Sequence, residues 1–141
     1  VEDVKALELD SPRIAVTTQT TLSVWDTAAV IEAIRERYPE AEIHNEICLA
    51  TQDRQEAVIA AAQEADLVLV VGSLRSSNSQ RLVEVTEQRT GKPAYLVDST
   101  ADINPEWLRG CAAVAVSSGA STPSPLTRDV ISHLEALPAT V

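Results

Sequence analysis

The chain has 141 residues, of which 45% are hydrophobic, 23% charged and 3% aromatic. That is enough for one compact domain or one and a half, with a core of Ala, Val, Leu and Ile, and it excludes wholesale disorder. Eleven Lys and Arg against 21 Asp and Glu leave a formal charge of −10, which repels nucleic acid and anionic lipid and removes both from the expected partners. No apolar run approaches the roughly 18 residues of a membrane span. Two cysteines far apart give no disulfide framework and no secretory leader opens the chain, so a reducing cytoplasm is the expected compartment. Because the first residue is Val1 and not Met, the chain is expected to be a piece of something longer.

In chain order, Ile14–Val16 is predicted as a strand, followed by a polar turn and a helix from Ser23 to Tyr38 that Pro39 stops. Ile43 and Ile47 then lead to Cys48. Asp53 is the expected N-cap of a helix over Gln55–Ala65, with Glu56 completing a capping box. Leu67–Val71 has no alternation and predicts a strand buried on both faces of a parallel sheet. A helical period through Leu82 and Val85 ends at Gly91 and Pro93. Ala94–Val97 and Ala112–Val116 are the next strands, with a short helix after Pro105 between them, and Pro125 opens the last helix. Such alternation predicts an α/β fold of parallel βαβ units, with ligands held at the carboxyl ends of the strands.

Three segments fall at such ends: Thr18–Ser23, Gly72–Ser79 and Ser117–Thr122. Each places hydroxyl and amide groups, with free backbone N–H groups, at the start of a helix. An oxygen-rich anion such as a diphosphate suits that chemistry even in an acidic protein. One loop of this kind is ordinary turn and cap chemistry, but three at strand ends point to a site. No nucleophile–histidine–carboxylate arrangement is evident, since His133 lies in the last helix and His44 stands apart, and there is no Walker or GxGxxG motif. Cys48 sits where an extended segment gives way to a helix, a place that lowers a thiol's pKa and suits metal ligation. One thiolate cannot by itself hold a metal or cluster, and Cys111, before an Ala-rich strand, reads as core.

Taken in order, Thr18-Gln19-Thr20-Thr21-Leu22-Ser23, Glu46-Ile47-Cys48-Leu49-Ala50-Thr51-Gln52-Asp53-Arg54-Gln55-Glu56-Ala57-Val58, Val71-Gly72-Ser73 with Ser76-Ser77-Asn78-Ser79, and Gly119-Ala120-Ser121 resemble the LytB-type 4-hydroxy-3-methylbut-2-enyl diphosphate reductases, over nearly the whole chain. That resemblance implies a [4Fe–4S] oxidoreductase of the non-mevalonate isoprenoid pathway, built from three similar α/β lobes in a trefoil-like arrangement. Residues 1–45 would be the later half of the second lobe and 46–141 the third. By the same resemblance Cys48 is a metal ligand, completed by cysteines outside this chain, while Thr20, Ser76, Ser77, Asn78 and Ser121 bind the diphosphate substrate. No catalytic residue falls in the chain, so alone it is expected to be inactive. The implied partners are the missing N-terminal half and an electron donor such as ferredoxin or flavodoxin, in the cytoplasm or the plastid stroma of a plant or alga. Departures from the family pattern are Leu49, Asp53, Leu74-Arg75 and Ser118, each beside an expected contact. The alternative is a non-catalytic α/β module that binds a phosphorylated small molecule.

Overall fold

Strand formation is strongest where five β-branched or leucine residues follow one another, and Leu67–Val71 forms β3, with every residue buried. A computed structural model describes residues 1–11 and 13–138 and divides the chain into two compact units, Val1–Gln52 and Asp53–Val141. The architecture is α/β with parallel pairing throughout.

The first unit begins with α1 (Glu2–Ala6), β1 (Ala15–Thr17), α2 (Val24–Arg37) and β2 (Glu42–His44). β1 and β2 pair in parallel, with Val16 opposite Ile43. Ser23 starts α2 by accepting the Asp26 N–H on its hydroxyl, and Ile31 and Ile34 are the buried face of that helix. The Leu7 carbonyl accepts from Arg37 Nε at 2.8 Å and from the Tyr38 hydroxyl at 2.7 Å, which ties the segment after α1 to the end of α2.

α3 (Leu49–Gln63) runs from the first unit into the second. It starts before the expected Asp53 cap: the Cys48 carbonyl accepts from Thr51 N at 2.9 Å and Gln52 N at 3.1 Å, so Asp53 is an exposed residue within the helix. Leu49 and Ala50 are good helix formers, and a turn already begun at Cys48 leaves Asp53 nothing to cap.

The second unit is a three-stranded sheet in the order β4 (Ala94–Val97), β3, β5 (Val114–Ser118). α4 (Ser77–Thr90) packs on β3 and β4, and α5 (Ser124–Ala136) on β3 and β5. Successive residues of β3 face opposite ways. Leu67, Leu69 and Val71 join Val97, Ile103 and Val130 in one core, against which Trp107, Leu126 and Leu134 pack. Val68 and Val70 are buried on the other face. Burial of each of these side chains stabilises by about 1.5–3 kcal/mol. Gly91, at φ 66°, ends α4 in the left-handed conformation that Gly adopts without strain.

β5 begins two residues later than its apolar pattern suggests. Asp66 Oδ2 accepts from Ala112 N at 2.8 Å and Ala113 N at 3.1 Å, so those amides are occupied before the ladder begins. No helix among the described residues is long and apolar enough to cross a membrane.

Candidate functional site

Because β3 and β5 are neighbours and parallel, with Val71 opposite Ser118, the segments that follow them emerge side by side at the carboxyl edge of the sheet. Two of the three hydroxyl-rich segments singled out in the sequence therefore meet. Gly119 N donates to the Val71 carbonyl at 3.0 Å, and the Thr122 hydroxyl donates to the same oxygen at 2.8 Å. Thr122 N closes the turn onto Gly119 O at 3.0 Å, leaving Ser121 exposed at its tip.

The segment after β3 turns at Ser73, whose carbonyl accepts from Ser76 N at 2.9 Å. Ser76 then caps α4, its Oγ accepting from Ser79 N at 3.3 Å. The cap uses only the hydroxyl oxygen, so its hydrogen remains a donor. Ser77 and Asn78 are the first two helical residues, whose N–H groups have no acceptor within the helix. Ser77 is exposed, whereas Asn78 and Ser79 are buried. Asn78 Nδ2 and Ser79 Oγ are buried atoms without a hydrogen-bond partner. Leaving such a group unmade costs about 1–3 kcal/mol, so natural structures keep few of them.

Residues 72–80 and 117–123 contain no acidic side chain, and Arg75 is their only charge. These two segments are thus neutral to positive in a chain of charge −10. The neighbouring segment after β4 differs: Asp102 Oδ2 accepts from Asp98 N and Ser99 N at 3.1 and 2.8 Å, so that loop satisfies its own donors.

In the first unit, Thr20 is exposed in the turn between β1 and α2. The Thr18 hydroxyl donates to Asn45 Oδ1 at 3.1 Å and accepts from Glu46 N at 2.7 Å, pinning the chain just before Cys48 to the end of β1. Cys48 is exposed, with Sγ 2.9 Å from Thr51 Oγ1. Hydrogen bonds from the Thr51 side chain and backbone hold the thiol below its ordinary pKa, which favours the thiolate that ligates metal. Cys111 instead turns inward, donating to the Trp107 carbonyl at 3.3 Å beside the core. Among the described residues no group of three His, Cys, Asp or Glu could hold a metal ion. Among the described residues Cys48 is therefore at most a single ligand of any metal site.

Sequence reasoning singled out Thr20, Cys48, Ser76, Ser77, Asn78 and Ser121 and passed over Thr51, Ser79 and Thr122. Thr51 and Ser79 lie within the motifs already noted, three residues after Cys48 and Ser76, one helical turn on. That spacing was the available signal.

The family model described as LytB protein matches residues 1–135. Over 135 residues the chain is 56% identical to a 4-hydroxy-3-methylbut-2-enyl diphosphate reductase of Symbiobacterium thermophilum, covering 95% of this chain and 46% of that protein. The Bacillus subtilis reductase of the same name is 50% identical over 134 residues, covering 95% and 43%. Among solved structures, the E-1-hydroxy-2-methyl-but-2-enyl-4-diphosphate reductase of Plasmodium falciparum matches with a TM-score of 0.89 at 33% identity, covering 97% of this chain and 44% of that one. The chain spans less than half the length of the relatives it matches.

Proposed function

The chain belongs to the LytB protein family, and from that premise we propose that it is part of a reductase acting on (E)-4-hydroxy-3-methylbut-2-enyl diphosphate. The reaction breaks the allylic C–O bond: two electrons and two protons enter, water leaves, and isopentenyl and dimethylallyl diphosphate result. Ser76, Ser77, Asn78 and Ser121 bind the diphosphate, and Thr20 is, by the family resemblance, a substrate-binding residue of the first unit. Residues 1–45 belong to the second lobe of the whole protein and 46–141 to the third. The observation that carries this reading is the buried, unpartnered Asn78 Nδ2 at the start of α4, next in sequence to Ser79, which lies against Gly119 of the turn that carries the exposed Ser121. A polar group kept dry without a partner is explained by a ligand that supplies one.

Within this reading Cys48 holds one corner of a [4Fe–4S] cluster, its thiolate favoured by Thr51, and the remaining ligands come from outside the chain. When bound, such a cluster supplies the electrons of the reduction one at a time. The residues of this chain bind and orient the diphosphate end, and neutral hydroxyl and amide donors release a diphosphate product more readily than fixed cations would. The missing remainder of the protein, and an electron donor such as ferredoxin or flavodoxin, complete the system in the cytoplasm.

The test is made on the whole protein that carries this chain, purified without oxygen. Cys48→Ser is expected to remove the brown absorbance and most of the iron, and Ser76→Ala to raise KM about tenfold with iron unchanged. A Cys48→Ser protein with full iron content would overturn the ligand assignment. Binding of pyrophosphate by a whole protein that never carries iron would instead favour the non-catalytic module.

A further inference from the structure

Gly72 and Gly119 follow the ends of neighbouring strands, and neither has a positive φ, which among the described glycines only Gly91 and Gly110 show. Backbone conformation therefore does not explain them. Space does: a Cβ at either position would collide with the same atom, Ser79 Oγ. Thr122 Oγ1 lies 3.1 Å from where each Cβ would stand. Ser79 is 1% exposed and its hydroxyl has no partner. The first turn of α4 thus presses an unbonded hydroxyl into a notch that exists because a glycine follows each of two strands.

Resting on the diphosphate reading above, we propose that Ser79 is a positioning residue. Its side chain seats the N-terminus of α4 between the ends of β3 and β5 and so fixes the spacing of Ser76, Ser77 and Asn78 from the Gly119 turn that carries Ser121. It acts by filling volume: its Oγ is walled in by Gly72, Gly119 and Thr122, so its missing partner is the cost of that close packing, whereas Asn78 Nδ2 is the donor left for the ligand. The backbone agrees, since Ser79 N is held by the capping hydroxyl of Ser76, and one residue links the cap to the notch.

Volume filling has a consequence that ligand contact lacks. A methyl on residue 119 falls on the position of Ser79 Oγ. Once that oxygen is removed, the nearest atoms to the methyl are Thr122 Oγ1 at 3.1 Å and Ser79 Cβ at 3.4 Å, so it takes the oxygen's place. At residue 72 the fit is tighter, because Ser79 Cβ remains at 3.0 Å.

The experiment is a double-mutant cycle read by the Kd for inorganic pyrophosphate and by Tm. Gly119→Ala alone is expected to weaken binding by about tenfold or more, and Ser79→Ala alone by about fivefold. The double variant should return to within about twofold of wild type, and the corresponding Gly72→Ala pair only partly. Losses that add in the double variant, with Tm restored, would show that the hydroxyl meets the ligand directly and would overturn the positioning role. A double variant no more stable than Gly119→Ala would overturn the notch itself. No pyrophosphate binding by wild type would remove the ligand half of the proposal along with the functional reading, whereas compensation in Tm would still establish the notch.

Discussion

The two ends of the β4–β3–β5 sheet solve the same problem in opposite ways. At the amino end the chain leaves Ala112 N and Ala113 N outside the ladder, and Asp66 accepts both on one carboxylate oxygen while its own N–H donates to Ala113 O at 2.9 Å. At the carboxyl end Asn78 Nδ2 and Ser79 Oγ are buried with no partner. One end is closed by the chain's own acid. The other keeps donors, excludes acids from the segments after β3 and β5, and packs those segments through glycines. The difference teaches where to look for a ligand in a fold whose helices and strands are otherwise ordinary: at the pole whose polar groups the chain has not finished satisfying.

Changes at the two poles should separate binding from stability. Gly72→Val is the largest expected effect, because its side chain would overlap the Ser79 hydroxyl and crowd Ser79 Cβ and Thr122 Oγ1. We expect pyrophosphate binding to be lost by calorimetry and stability to fall by about 1–3 kcal/mol in urea. Asn78→Ala should weaken pyrophosphate binding about tenfold while leaving Tm nearly unchanged, since the amide hydrogens have no protein partner to lose. A large Tm loss with unaltered binding would make Asn78 a structural residue and break the contrast.

Asp66→Asn is the smallest and has the opposite signature. Backbone N–H groups of Ala113 and Ala112 hold the Asp66 carboxyl below its ordinary pKa, with Lys92 adding to the effect. Its stabilisation is therefore complete above the unfolded value of about 4 and disappears as pH falls through the lower folded value. We expect the variant to melt below wild type at pH 7, the two curves to converge as the solution is acidified below about pH 4, and pyrophosphate affinity to stay the same throughout. A constant gap across pH would mean that the carboxylate charge is not what the amino pole uses.

Much of this contrast was legible in the residues. The uninterrupted Leu67–Val71 block, the Gly91 stop and the hydroxyl-rich segments after Val71 and Val116 place β3, the end of α4 and the carboxyl pole without structural help. Three features were not legible, each for a physical reason. Asp53 and Glu56 spell a capping box, yet the helix had already begun at the Cys48 carbonyl. β5 starts late because its preceding amides bind an acid 46 and 47 residues away in sequence. The notch around Ser79 joins Gly72, Ser79 and Gly119, and a glycine conserving space looks in sequence like any turn glycine.

The most direct test of the central claim is a titration of the 15N-labelled chain with inorganic pyrophosphate, followed residue by residue by NMR. The expected result is a saturable set of shifts confined to Gly72, Ser76–Ser79 and Gly119–Thr122 within the second unit, with Asp66, Ala112 and Ala113 unmoved. Shifts centred on Asp66 and its two amides, or none at the carboxyl pole at millimolar pyrophosphate, would contradict it.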